Sequence, residues 1–187
     1  LTIQEGEIVG VAGVAGNGQT ELAEVLTGLR SWESGTLKYR GAVIDHASVR
    51  HFNDQGIASI PENRMKAGLA GGLGATDNLL MKSYRSSQRL KLGFMKVKEN
   101  EEWAQELVKN YDIKTPNLET PVRKLSGGNQ QKLLFAREMD RNPNLMVAMH
   151  PTQGLDVGAT EWVTDQLCEL RDKGSGILLI SEDLDEI

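Results

Sequence analysis

The residues best suited to chemistry sit in a glycine-rich stretch near the start of the sequence. Gly13-Val14-Ala15-Gly16-Asn17-Gly18-Gln19-Thr20 meets the phosphate-loop pattern GxxxxGK(S/T) at every fixed position except one, where Gln19 stands in place of lysine. The backbone amides of such a loop converge on an anion, the helix that follows adds its positive end, and Thr20 is spaced to reach a magnesium ion. A glycine-rich turn that merely joins a strand to a helix would use the same residues. A charge-assisted bond from lysine to phosphate is worth ~1.5–3 kcal/mol, so a neutral Gln19 should weaken nucleotide binding about tenfold to a hundredfold and spare the backbone cradle. His150 is a second candidate, an imidazole of ordinary pKa ~6.5 that could act as a base or simply cap a strand end. His46 and His51 lie in polar surroundings and read as surface residues. Cys168 has no metal-ligand spacing around it and reads as a small packing residue on a helix.

The elements that must position these groups alternate between strand and helix, as in an α/β domain with a mainly parallel sheet. Residues 7–14 read as a buried strand running into the glycine loop, and 20–29 as a helix closed near Gly28. Residues 36–39 and 42–44 flank Arg40-Gly41 as a hairpin, and 57–60 form a short strand stopped by Pro61. Trp103, Leu107, Val108 and Tyr111 fall on one face of a helix over 96–111. After a mainly helical stretch over 74–121, helix 129–140, strand 145–149, helix 159–173 and strand 177–180 restore the alternation. Both late strands are apolar throughout, as a sheet covered on both faces requires.

Composition narrows the function. With 21 Lys+Arg against 26 Asp+Glu the net charge is −5, which argues against a dedicated nucleic-acid binder. No apolar run approaches the ~18 residues of a membrane span, the first residues lack the basic start and apolar run of a signal peptide, and Cys168 has no partner for an internal disulfide, so the cytoplasm is the expected compartment. The 20 glycines among 187 residues exceed the ~7% average and cluster beside apolar runs, which points to a loop-built site.

Leu125-Ser126-Gly127-Gly128-Asn129-Gln130-Gln131-Lys132 resembles the signature loop of ATP-binding-cassette (ABC) ATPases. In that family a serine, backbone amides and a helix start grip the terminal phosphate of ATP held by the opposing domain. A plain helix cap is the other reading of Ser126 and its glycines. Downstream, Pro151-Thr152 and Gly154-Leu155-Asp156 resemble the family's acidic box and D-loop, and Ser181-Glu182 falls where the family carries its switch histidine. Pro61-Glu62-Asn63-Arg64, Gly68-Leu69 and Gly154-Leu155-Asp156-Val157-Gly158-Ala159 resemble, more narrowly, the second cassette of tandem importers of simple sugars and nucleosides.

The resemblance implies a P-loop NTPase of α/β class, with a parallel core sheet, a small antiparallel β element and a helical insertion. It implies one truncated cassette over 1–187, with 1–73 and 122–187 as core and 74–121 as insertion. ATP would meet Gly13, Asn17, Gly18, Gln19 and Thr20 of this chain, with Thr20 toward Mg2+. A partner's ATP would meet Ser126, Gly127, Gly128 and Asn129. Alignment on Pro151-Thr152 puts Met149 at the family's magnesium-binding aspartate, His150 at its catalytic glutamate and Glu182 at its switch histidine. Without a positioned base and metal the chain's own site should be catalytically silent, and Glu182 has the wrong sign for a phosphate transition state. The implied partners are a competent first cassette and membrane permease subunits, at the cytoplasmic face of the cell membrane. A non-hydrolytic module for dimerisation or permease docking is the alternative, and a soluble P-loop kinase is disfavoured by the missing lysine and lid.

Overall fold

The computed structural model describes residues 1–14, 16–45, 48–184 and 186–187. Ala15 of the glycine loop and the expectation for His46 lie outside them. The chain divides into two compact units. The first comprises Leu1–Ser59, Asn142–His150 and Leu167–Ile187, the second Ile60–Arg141 and Pro151–Gln166.

In the first unit a four-stranded sheet runs in the order β1 (Ile8–Ala12), β8 (Gly176–Ser181), β7 (Leu145–Met149), β4 (Ile57–Ile60). The pairs β1/β8 and β8/β7 are parallel, with Val9 opposite Leu178 and Val147 opposite the same residue from the other side. β8 is buried along its whole length, as its uninterrupted apolar sequence demands. Val147, Met149, Leu178 and Ile180 form the core with Ala23 of helix α1 (Gln19–Leu26), and Leu22, Leu26, Val9 and Val11 close its rim.

β1 is shorter than the expected strand over 7–14, since its pairing with β8 runs from Ile8 to Ala12 and stops where β8 ends at Ser181. α1 likewise ends at Leu26, not at residue 29. The Thr27 hydroxyl donates back to the Ala23 carbonyl at 2.7 Å, and Gly28 turns left-handed with φ 77°. A side chain at Gly28 would also meet the Ser48 carbonyl carbon and Phe52, each at 2.6 Å, so only glycine closes this helix.

The expected hairpin is present as β2 (Leu37–Tyr39) and β3 (Ala42–Ile44). Arg40 at φ 50° and Gly41 at φ 80° give the two left-handed residues of a tight hairpin turn. Ile44 and Ile57 pack there with Phe52 from α2 (Val49–Asp54), a short helix capped by Ser48 that the sequence reading had not resolved.

The second unit is mainly helical: α3 (Ala75–Leu80), α4 (Val97–Asn110), α5 (Gly127–Met139) and the first part of α6 (Val157–Asp172). It also holds an unexpected two-residue hairpin, β5 (Leu90–Lys91) and β6 (Phe94–Met95), turned by Leu92 at φ 52° and Gly93 at φ 85°. α5 buries Leu133, Leu134, Phe135 and Ala136 completely. Trp162 of α6 packs edge-on to both Phe135 and Tyr111. Trp103 on α4 lies under the Arg89 guanidinium at 3.5 Å, and the buried Asn78 side chain makes four bonds to the 70–74 backbone.

Among the described residues no helix is long and apolar enough to cross a membrane.

Candidate functional site

In the first unit the glycine loop leaves β1 and enters α1 through Gly16 at φ 84° and Gly18 at φ 92°, conformations that glycine adopts without strain. The turn is held by its own polar side chains. Asn17 Nδ2 donates to the Val14 carbonyl at 2.9 Å. Gln19 folds back across the loop, its Nε2 donating to Val14 O at 3.2 Å and its Oε1 accepting from the Asn17 amide at 3.3 Å. Its amide nitrogen lies 2.4 Å from where a Cβ of Gly13 would stand, so the closed arrangement needs glycine there too. Gln19 is therefore an occupant of the loop as well as a missing charge. An amide of the type that would bind phosphate is already paired. Thr20 is exposed in the first turn of α1, and no side chain among the described residues caps that helix, so its leading amides stay available to an anion.

The strand ends beside this loop carry little that could hold a metal. β7 ends on Met149, buried in the core, and His150 follows, half-buried at φ 42° with its amide donating to the Ile180 carbonyl at 2.8 Å. After β8 the buried Ser181 hydroxyl donates to Glu186 and accepts from the Asp183 amide at 3.0 Å, while Glu182 is exposed. Among the described residues no three His, Cys, Asp or Glu side chains gather as a metal-binding group.

In the second unit a helix start leaves more of its donors free. Ser126 is the N-cap of α5, accepting from the Asn129 amide at 3.3 Å and from Asn129 Nδ2 at 2.8 Å. With both bonds accepted, the hydroxyl proton is free to be donated outward. Asn129 is fixed at its other end, where Oδ1 accepts from the Lys114 amide at 2.7 Å. The amides of Gly127 and Gly128 have no partner among the described residues and stand at the positive end of a 13-residue helix. Both glycines are closely approached by neighbouring side chains. A Cβ at Gly127 would lie 2.8 Å from Arg64 Nη2, and one at Gly128 would lie 3.2 Å from the Ala159 Cβ.

The neighbouring turn is shaped by side chains that the motifs contain but to which sequence reading gave no structural role. Gln131 donates to the Pro151 carbonyl at 2.6 Å, and Arg64 Nη1 donates to the Gln153 carbonyl at 2.9 Å. Gly154 is left-handed at φ 67°, and Asp156 caps α6 by accepting from the Ala159 amide at 2.9 Å. Lys132 reaches Asp112, where the Lys114 hydrogen bond, then that of Lys132, holds the carboxyl below the usual carboxylate range.

A family model described as ABC transporter matches residues 1–153. The guanosine import ATP-binding protein NupO of Bacillus subtilis (strain 168) is 46% identical over 187 residues, which is 100% of this chain and 37% of that protein. The nucleoside import ATP-binding protein NupA of Lactococcus lactis subsp. cremoris (strain MG1363) is 40% identical, and the ribose import ATP-binding protein RbsA of Clostridium perfringens (strain SM101 / Type A) is 34% identical, each over 100% of this chain and 37% of theirs. The chain thus spans a little over a third of the length of these curated relatives. Among solved structures, the dimeric post-hydrolysis state of the ATP-binding cassette MJ0796 bound to ADP and Pi superposes with TM-score 0.81 at 21% identity, covering 100% of this chain and 79% of that one. That likeness concerns the fold, with its parallel core sheet flanked by helices and small antiparallel hairpins. Since the matched stretch contains both the glycine loop that opens α1 and the serine-glycine-glycine turn that opens α5, the chain belongs to the ABC transporter family, as an ATP-binding domain.

Proposed function

We propose that this chain is the ATP-binding component of a bacterial importer for simple sugars or nucleosides, and that its Ser126 loop completes the ATPase site of a partner cassette while its own glycine loop is catalytically silent. The observation that carries this reading is the contrast between the two loops: Ser126, Gly127 and Gly128 keep their donors free, while Gln19 spends the Asn17 amide on itself. When bound, a partner's ATP would supply the phosphoryl group. The residues of this chain would hold its terminal phosphate by the Ser126 hydroxyl, the Gly127 and Gly128 amides and the helix end, with Asn129 fixing the serine rotamer.

The relatives named for guanosine, nucleoside and ribose import support the cargo class. On this reading the chain works peripherally at the cytoplasmic face of the cell membrane, bound to permease subunits. Residues 74–121 form the helical insertion on a core of 1–73 and 122–187. ATP turnover with Mg2+ belongs to the assembly, with any Mg2+ at this chain's own loop held weakly by Thr20. The experiment is ATPase measurement on the chain alone and with a competent first cassette: negligible turnover alone and restored turnover together are expected, and clear turnover by the chain alone refutes the silent site. The paired Asn17 amide also favours a second reading, a docking module that binds no nucleotide; calorimetry at millimolar Mg-ATP without heat of binding would select it.

A further inference from the structure

Arg64 opens a single wide helical turn, Arg64–Gly68, closed by the Leu69 amide donating to the Arg64 carbonyl at 2.7 Å and capped by Asn63, which accepts from the Lys66 amide at 2.9 Å. Both ends of that turn are tied to α5 or its neighbours. At the first end the Arg64 guanidinium lies against Gly127, donates to Gln153 O, and keeps Nε buried without a partner among the described residues. A buried donor without an acceptor is a cost, so what the other two nitrogens touch must hold the guanidinium in place. At the far end Gly68 O accepts from Arg137 Nη1 at 2.7 Å, and the buried Arg137 is held by Glu138 at 3.0 Å. Arg137 is the fixed end of this brace, since it is buried and bonded to the buried Glu138. Arg64 is the working end, since it rests on the glycine that grips phosphate.

We infer that Arg64 is a positioning residue for the Ser126, Gly127 and Gly128 grip, acting through Gly127 and the Gln153-Gly154 turn. This rests on the reading that the grip serves a partner's nucleotide. The guanidinium fork sets Nη1 on the Gln153 carbonyl and Nη2 against Gly127 at the same time. A lysine can make the carbonyl bond and cannot cover the glycine. The short turn 64–68 thereby links the chain that follows β4 to the setting of the phosphate donors.

The test uses the transporter assembled with this chain, comparing wild type, Arg64→Ala, Arg64→Lys and Ser126→Arg, with kcat and KM for ATP measured separately and the thermal midpoint of each complex recorded. Displacing donors by a fraction of an ångström should lower kcat about 10- to 100-fold in Arg64→Ala. KM should stay within about threefold, because a positioning residue acts on the transition state more than on ground-state binding. Added guanidinium ion should restore part of kcat in Arg64→Ala alone, and Arg64→Lys should remain slow. Should Arg64→Ala fail to fold, Arg64→Lys decides. Wild-type kcat in a folded Arg64 variant, with Ser126→Arg inactive, overturns the positioning role and leaves the grip intact. Wild-type kcat in Ser126→Arg overturns the grip itself and the role of Arg64 with it.

Discussion

Replacing Gln19 separates its two effects on the glycine loop. In Gln19→Ala the side chain that accepts from the Asn17 amide at 3.3 Å and donates to Val14 O at 3.2 Å is gone. Nucleotide no longer has to break the first of these bonds, which is worth ~0.5–1.5 kcal/mol net, so Kd for Mg-ATP should fall about 2- to 12-fold. In Gln19→Lys the same competition is relieved and a charge-assisted bond of ~1.5–3 kcal/mol is added. The sum, ~2–4.5 kcal/mol, corresponds to binding tighter by about 30-fold at the least. Calorimetry on the three proteins at fixed magnesium and ionic strength reads both steps. On the proposed reading turnover should stay at background in both variants, because Met149 ends β7 where the resemblance implies a magnesium-binding carboxylate. Weaker binding by Gln19→Ala would mean that glutamine is a ligand of the nucleotide, and a Kd for Gln19→Lys within about threefold of wild type would refute the argument that the loop was closed by competition.

Three further outcomes follow from the second unit. Glu138, almost fully buried between Lys82 at 2.6 Å and Arg137 at 3.0 Å, should be costly to remove: Glu138→Ala leaves two cations without their carboxylate, and urea unfolding should show a loss of about 3–5 kcal/mol. Asn78→Leu should cost about 1–3 kcal/mol by the same measurement, since it leaves the half-buried Ala70 amide without its acceptor, while the carbonyls of Ala70, Leu73 and Gly74 keep backbone donors. Asp112 has a folded pKa below its unfolded value, because Lys114 and then Lys132 bond its charged form, so its contribution is present above ~3.9 and lost as pH falls through the lowered folded value. Stability measured against pH should therefore show Asp112→Asn below wild type at neutral pH and converging with it in acid.

What was legible in the sequence was whatever is encoded by period or by a turn residue. The uninterrupted apolar runs of β7 and β8 marked a sheet covered on both faces, Pro61 ended β4, and Arg40-Gly41 turned the first hairpin. The second hairpin escaped because Leu92 occupies its first left-handed position, where no composition signal would place a turn, and α2 escaped because six residues are too few to display a helical period. At the site the limit was different. A motif specifies residue types at positions, and both loops were found that way, but it carries no rotamers. Gln19 reads from the pattern as an absent charge, and folded it is a bound amide; Arg64 belongs to no periodic face, and folded it covers Gly127 from the end of a turn more than 60 residues upstream. The consequence is asymmetric. The loss of a charge could be inferred from type alone, while the pairing of Gln19 with the Asn17 amide and the brace on Gly127 exist only as side-chain geometry, and on the proposed reading these set how available each loop is to phosphate.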